Sequence, residues 1–164
     1  RDDIDMGPLV NEKGLIKVKE LVERSLQQGG RLVMGGKVVE GTGYYFEPTI
    51  IDNVDNSMEI MRSEIFGPVI PVATFDTIDE AIKLANDCEY GLTSSVYTQN
   101  LNKAMKLISR LKFGETYVNR ENFEAMQGYH AGWRKSGIGG ADGKHGLEEY
   151  LQTQVVYLQF DDKV

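Results

Sequence analysis

The segment Glu64-Ile65-Phe66-Gly67-Pro68-Val69 combines a carboxylate, an aromatic ring and a Gly-Pro turn in the middle of the chain. It continues into the apolar residues 69–73, which predict a buried strand. Glu64 and Phe66 are two positions apart, a spacing that can place both side chains on one side of a cleft. A carboxylate accepts hydrogen bonds from a cis-diol such as a ribose, and a phenyl ring packs on a planar heterocycle. The residues alone leave two interpretations open, a nucleotide-binding edge or a turn with a solvated glutamate.

Size and composition favour a folded protein with an acidic surface. The chain has 164 residues, of which 41% are hydrophobic and 26% charged, so a packed core of ordinary domain size is expected. The net charge of -7 and the pI near 4.9 disfavour nucleic acid and anionic membranes as partners, since both need a basic surface. No apolar run has the length of a membrane span, and no signal peptide is recognisable.

The single cysteine and the first residue bear on location and completeness. Cys88 cannot form an internal disulfide, which predicts a reducing, cytoplasmic location. The chain begins at Arg1 rather than at a methionine, which predicts that it is a piece of a longer protein.

Hydrophobic spacing predicts helices that alternate with strands. Helices are predicted after Asn11, from residues 76–80 and from Asn100, with a short helical piece at residues 145–150. Strands are predicted at residues 31–34, 44–51, 69–75, 91–97, 115–119 and 152–159. This alternation predicts an α/β fold with a parallel-rich sheet and flanking helices. Such sheets place ligand sites at the carboxyl ends of strands, which directs attention to Asn119 and the residues after it.

The residues after Asn119 form a long segment without periodicity. A loop of this length, residues 120–144, is usually functional or disordered inside a compact domain. It carries Glu124 and His130, which could both hydrogen-bond a small hydroxylated substrate and so reject analogues that lack the hydroxyl. Composition alone favours a solvent-exposed loop with an ordinary salt bridge.

Other candidate motifs give no catalytic or metal site. The Gly-rich residues 135–143 do not fit the dinucleotide-binding pattern, because Asp142 stands where glycine is needed and no strand precedes them. Cys88 lies between Asp87 and Glu89, whose charges oppose thiolate formation, so a structural role is expected. One cysteine and two histidines do not form a metal signature.

A series of motifs resembles, in order, the C-terminal part of the NAD(P)-dependent aldehyde dehydrogenases. The matching segments are Gly7-Pro8-Leu9-Val10-Asn11, Gly35-Gly36, Gly43-Tyr44-Tyr45-Phe46, Pro48-Thr49, Glu64-Ile65-Phe66-Gly67-Pro68, residues 86–92, Tyr117-Val118-Asn119, Ser136-Gly137-Ile138-Gly139 and residues 146–150. Residues 119–124 together with Gly140-Ala141-Asp142-Gly143 are similar to the branch of the family that oxidises lactaldehyde and glycolaldehyde.

The resemblance implies a cofactor and a role for each candidate residue. With NAD as the cofactor, Glu64 would hold the nicotinamide ribose hydroxyls, Phe66 would flank the nicotinamide, and Lys17 would contact the cofactor. Glu124 and His130 would bind the hydroxyl of a small hydroxyaldehyde or the carboxylate of its product.

The resemblance also implies what lies outside these residues. It places the nucleophilic cysteine, the general base and the dinucleotide-binding fold before residue 1, so no catalytic residue is expected here and the chain alone is predicted to be inactive. It assigns residues 1–150 to the C-terminal portion of the catalytic domain and residues 151–164 to an oligomerisation strand and tail, which predicts a homodimer or homotetramer. Two alternatives stay open: a non-catalytic oligomerisation or regulatory fragment of the same family, and a nucleotide-binding protein outside it.

Overall fold

The computed structural model describes residues 5–161 and divides the chain into two units, Arg1–Cys88 and Glu89–Val164. Both units contain helices and strands, which confirms the predicted α/β class. Among the described strand pairs, two are parallel and two antiparallel.

The first unit begins with helix α1, Glu12–Gln27. Asn11 caps it, since the side-chain oxygen accepts a hydrogen bond from the Gly14 N–H at 2.9 Å. Val18 and Leu21 lie on the buried face of the helix, as the helical spacing predicts. The helix therefore forms where the sequence predicts it.

Three strands form the sheet of the first unit, in the order β1 (Arg31–Met34), β2 (Thr49–Asp52), β3 (Val69–Pro71). β1 is antiparallel to β2, and β3 is parallel to it. The strand predicted from residue 44 starts only at Thr49, because Pro48 has no N–H to donate to a neighbouring strand. The strand predicted over residues 69–75 is shorter as well and ends at Pro71.

Two further helices complete the first unit, α2 (Glu59–Arg62) and α3 (Ile78–Asn86). The core lies where α1, the sheet and the residues around α2 meet. Its buried members are Val18, Val22, Phe46, Ile51, Val54, Met58, Ile60 and Val69. Ile82 is the buried residue of α3, whereas Ala85 is exposed.

The second unit is built on two parallel strands, β4 (Thr93–Val96) and β5 (Glu115–Val118), connected by helix α4 (Leu101–Arg110). Ala104 is the buried residue of α4, while the apolar side chains of Leu101 and Met105 are 73% and 56% exposed. The helix has the predicted amphipathic pattern, but most of its apolar face is not covered within the described part of the chain.

Short elements occupy the segment predicted as an irregular loop. β6 (His130–Ala131) pairs antiparallel with β7 (Gly140–Ala141), and a 3-10 turn, Arg134–Ser136, lies between them. Helix α5 (Gly143–Glu148) follows. β6 runs close to the start of β5, because a Cβ at Gly114 would lie 1.6 Å from the carbonyl oxygen of Ala131. This contact requires glycine at position 114.

The predicted strand over residues 152–159 does not form within the described residues. Residues 151–161 are exposed and lie in no helix and no hydrogen-bonded strand. The end of the predicted tail, residues 162–164, lies outside the described residues, as do residues 1–4 of the predicted catalytic portion. In residues 5–161, no helix is both long and apolar enough to cross a bilayer.

Candidate cofactor and substrate sites

The motif at residues 64–69 lies at the surface of the first unit. Ile65 packs against the hydrophobic core, while Glu64 and Phe66 on either side of it are exposed. The Phe66 ring is 80% exposed, which is unusual for a large apolar side chain. The segment therefore presents a carboxylate and an aromatic ring to solvent on a backbone anchored by the partly buried Ile65.

The backbone of this motif is strained and closely packed. Phe66 has φ 51°, in the left-handed region, where a bulky residue costs about 1–3 kcal/mol. A Cβ at Gly67 would lie 2.5 Å from Cγ2 of Val18, which is fully buried on α1. Glycine at position 67 thus lets the turn lie directly on the helix.

Lys17 joins the same cluster from α1. Its Nζ donates a hydrogen bond to the carbonyl oxygen of Glu64 at 2.5 Å and lies 5.7 Å from the centroid of the Phe66 ring. The structure therefore brings together the three residues predicted to bind the cofactor. The ammonium of Lys17 contacts the motif itself, which gives it a role in holding Glu64 and Phe66 in place.

His130 and Glu115 form the centre of a polar cluster in the second unit. Nδ1 of His130 lies 3.0 Å from Oε1 of Glu115, and the other carboxylate oxygen accepts a hydrogen bond from the Tyr117 hydroxyl at 2.7 Å. The Glu115 side chain is only 14% exposed and that of His130 33%. Glu115 and Tyr117 lie two residues apart on β5, which places both on the same face of the strand.

Sequence reasoning missed Glu115 and Tyr117. A signal was available: the two residues alternate along the predicted strand 115–119 and so share one face of it. The carboxyl end of that strand was already predicted to lie near a ligand site. What the sequence lacks is the position of β6, because the pairing of His130 with Glu115 depends on the close approach at Gly114.

Charge and hydrogen bonding shift the proton affinities in this cluster. The hydrogen bond to Glu115 raises the pKa of His130, burial opposes this, and the negative charges of Glu115, Glu124 and Asp142 add to the rise. The hydrogen bond to Glu115 also raises the pKa of Tyr117 to about 12, so this phenol stays protonated at neutral pH. The Glu115 carboxylate thus accepts a hydrogen bond from the Tyr117 hydroxyl at one oxygen and contacts the His130 ring at the other.

Glu124 lies at an open pocket beside this cluster. The pocket, of about 280 Å³, is lined by Glu124 together with Glu115, Tyr117 and Arg120. The Arg120 guanidinium lies 5.6 Å from the centroid of the Tyr117 ring. The two predicted substrate residues therefore lie in the same region. Glu124 lines the pocket, and His130 contacts Glu115, which also lines it.

Asn119 ends β5 in the second unit. It has φ 54°, and its side-chain amide bonds both the N–H and the carbonyl oxygen of Thr98, each at 2.9 Å. Asparagine tolerates this left-handed conformation better than most residues. Asn119 thus ties the end of β5 to the residues after β4 and fixes where the loop with Glu124 begins.

Cys88 follows helix α3 in the sequence. It is neither one of the residues around Glu64 nor one of those around His130. It is partly buried and in no disulfide. The neighbouring Asp87 is ion-paired with Arg62, with 2.9 Å between Oδ2 and Nη2.

In the described residues, no group of three or more histidine, cysteine, aspartate or glutamate side chains is arranged to hold a metal ion.

The chain belongs to the aldehyde dehydrogenase family, whose sequence model matches residues 1–156. It is 67% identical to lactaldehyde dehydrogenase from Escherichia coli K12 over 159 residues, which make up 97% of this chain and 33% of that enzyme. These comparisons confirm the resemblance that the motifs indicated.

Solved structures agree with the sequence comparison. The crystal structure of the Escherichia coli lactaldehyde dehydrogenase matches with a TM-score of 0.95 and 67% identity, over 98% of this chain and 34% of that one. Betaine aldehyde dehydrogenase from Staphylococcus aureus in complex with NAD+ matches with a TM-score of 0.87 and 38% identity, over 92% of this chain and 30% of that one. The chain spans about a third of the length of these relatives.

Proposed function

We propose that this chain forms part of an NAD-dependent aldehyde dehydrogenase that oxidises lactaldehyde or glycolaldehyde to the hydroxy acid. One observation carries the proposal: Glu64 and Phe66 are both exposed on a strained turn that Lys17 contacts from α1. The 67% identity to a lactaldehyde dehydrogenase supports this choice of substrate.

In the proposed cofactor site, each residue has a distinct task. The exposed carboxylate of Glu64 accepts hydrogen bonds from the ribose hydroxyls, and the ring of Phe66 packs on the nicotinamide. Lys17 positions both through its bonds to the turn. When bound, NAD supplies the acceptor for the hydride that leaves the aldehyde.

In the proposed substrate site, Glu124 and His130 recognise the hydroxyl group next to the aldehyde. Their polar atoms would be left without a partner if the substrate lacked that hydroxyl, which disfavours simple aldehydes. After oxidation, the same residues face the carboxylate of the product.

The covalent steps need groups that we do not place in these residues. The one thiol, Cys88, belongs to neither candidate cluster, so we infer that the chain alone forms no NADH. We place the whole enzyme in the cytoplasm as part of this proposal, because a cysteine outside any disulfide is typical of proteins in reducing compartments. A non-catalytic oligomerisation or regulatory fragment is the alternative.

A chimaera tests the proposal directly. Replacing the matching third of the Escherichia coli lactaldehyde dehydrogenase by this chain should give an enzyme that oxidises lactaldehyde with NAD, while the chain alone should not. In the chimaera, Glu64→Gln should raise the KM for NAD about tenfold or more, because hydrogen bonds to a charged group are worth about 1.5–3 kcal/mol. Glu40→Gln, at an exposed position outside both clusters, is the matched control.

The substrate assignment is tested with paired aldehydes in the same chimaera. His130→Gln should lower kcat/KM for lactaldehyde and leave that for propionaldehyde, which lacks the hydroxyl, nearly unchanged. Equal losses on both aldehydes would contradict hydroxyl recognition by His130. NADH formation by the chain alone would refute the inference that it lacks the reacting thiol.

A further inference from the structure

We propose that Glu115 is a positioning residue that decides which ring nitrogen of His130 carries a proton and presents the other nitrogen, Nε2, to the bound hydroxyaldehyde or hydroxy acid. The ligand in this inference rests on the proposed function, whereas the action of Glu115 on His130 does not.

The contact between the two side chains defines the tautomer. Oε1 of Glu115 lies 3.0 Å from Nδ1 of His130, and an ionised carboxylate can only accept a hydrogen bond. Nδ1 must therefore carry hydrogen in both the neutral and the charged ring. In the neutral ring, Nε2 then has a lone pair and accepts hydrogen bonds. In the other tautomer, Nε2 would carry the proton and donate.

The carboxylate is itself held in one orientation. The Tyr117 hydroxyl donates to Oε2 of Glu115 at 2.7 Å, and the backbone N–H of Glu115 donates to the carbonyl oxygen of Leu92 at 3.0 Å. Tyr117 is 9% exposed and remains protonated, since its pKa is raised to about 12. Glu115 is thus fixed at both ends and can fix the ring of His130 in turn.

The charge of His130 then selects between two ligand groups. A neutral ring accepts a hydrogen bond from a hydroxyl at Nε2, and a protonated ring donates one to a carboxylate from the same atom. The groups around the ring favour the protonated form: Glu115 on β5, Glu124 in the loop and Asp142 after β7 are negative, and the hydrogen bond to Glu115 raises the pKa. The nearby Arg120 lies over the Tyr117 ring.

A consequence for the enzyme follows from this selection. As the pH falls through the raised pKa of His130, Nε2 changes from an acceptor to a charged donor. The hydroxy acid should then bind more tightly, while recognition of the substrate hydroxyl through the lone pair weakens. Glu115 would thereby set the pH at which product inhibition begins.

Nitrogen NMR of the imidazoles tests the inference on the chain as it is. His130 and His145 are the two histidines of the sequence, so two sets of ring signals are expected. In the unaltered chain, neutral His130 should be the Nδ1–H tautomer. A neutral His130 that carries its proton on Nε2 would overturn the proposal without any variant.

Two substitutions separate charge from hydrogen bonding. Glu115→Gln keeps an acceptor and removes the charge, so the titration midpoint of His130 should move down while the tautomer stays Nδ1–H. Glu115→Met removes both, so the midpoint should move down and the preference for Nδ1–H should be lost. The signals of His145, whose ring lies against Tyr129, should be the same in all three proteins and report that the unit is folded. An unchanged His130 midpoint in Glu115→Gln, with the His145 signals intact, would contradict the proposal.

A kinetic arm tests the ligand separately. In the chimaera, lactate should inhibit more strongly at low pH, and Glu115→Gln should weaken that inhibition while the KM for NAD stays the same. Inhibition with the same pH dependence in both proteins would refute the role of Glu115 toward the ligand. The NMR spectra need neither NAD nor an aldehyde, so a chimaera without activity would count against the proposed function and leave the Glu115–His130 result standing.

Discussion

Phe66 shows how a single residue at this surface is held against its own preference. Its backbone is left-handed and its ring is exposed, two features that would each destabilise the turn. The opposing contacts are the Lys17 ammonium over the ring, the hydrogen bond of Lys17 to Glu64, and the packing of the partly buried Ile65 against the core. Strain of this kind is retained at ligand sites more often than elsewhere, which fits the proposed cofactor role.

At the scale of one residue, Gly67→Ala should destabilise the first unit. The added methyl would lie 2.5 Å from Cγ2 of the fully buried Val18, and overpacking of this kind costs about 1–3 kcal/mol. Urea unfolding followed by far-UV circular dichroism measures the loss. Gly7→Ala is the control, because no atom lies within 4 Å of its added methyl. Equal midpoints for the two variants would show that the turn can move away from α1.

The ion pair of His130 with Glu115 should make stability depend on pH. Because the folded-state pKa of His130 is raised above 6.5, its stabilisation is fully present below that value and is lost as the pH rises through the folded pKa. The difference in free energy of unfolding between the unaltered chain and Glu115→Gln should therefore be larger at about pH 6 than at about pH 9. Fluorescence of Trp133, the single tryptophan, follows unfolding of the second unit. A difference that grows with pH would contradict this sign.

Helix α1 illustrates how an element positions the candidate cofactor site. One face buries Val18 and Leu21 in the core, and the adjoining Lys17 reaches the Glu64 turn. The register of the helix relative to the turn is therefore set by burial, and the position of the ammonium follows from it. A substitution that destabilises the start of the helix should therefore also disturb the contact between Lys17 and the Glu64 turn.

At the scale of the element, Asn11→Ala should destabilise α1. It removes the acceptor for the Gly14 N–H, which typically costs about 1 kcal/mol. The measurement is the urea midpoint by circular dichroism, with Asn102→Ala on the exposed side of α4 as the control. In the chimaera, the same change should also weaken NAD binding through Lys17. An unchanged midpoint would mean that the cap does not stabilise the helix.

At the scale of the whole molecule, the chain exposes much apolar surface. Within the described residues, the exposed apolar side chains include Leu101 and Met105 on α4 and Val155, Val156 and Tyr157 near the end. Apolar surface of this extent is typical of chains that bind other protein surfaces.

Residues 152–159 should provide one such contact by pairing with a second copy of the chain. Val155→Pro removes a backbone donor and should weaken assembly, because proline cannot complete a strand ladder. Val155→Thr keeps the backbone donor and the branched shape and is the matched control. Light scattering after size-exclusion chromatography measures the native mass. The same mass for both variants would contradict pairing through this segment.

Residue-level and element-level features were the most predictable from the sequence. The cap at Asn11, the start of α1 and the bounds of β1 depend on neighbours within a few positions, so local patterns contain them. The extent of β2 and β3 was predicted less well, because strand ends depend on which backbone groups find a partner. The small hairpin of β6 and β7 was missed, since two-residue strands leave no periodicity to detect.

The sequence by itself determined the α/β class, the long first helix and the family to which the chain belongs, because these follow from local spacing and ordered motifs. Only the tertiary structure decided that Lys17 reaches Glu64, 47 positions away, and that His130 meets Glu115. Both contacts depend on close packing elsewhere, at Val18 beneath Gly67 and at Gly114 against Ala131. Contacts between distant residues depend on how the intervening elements pack, and no local pattern of side chains encodes that distance.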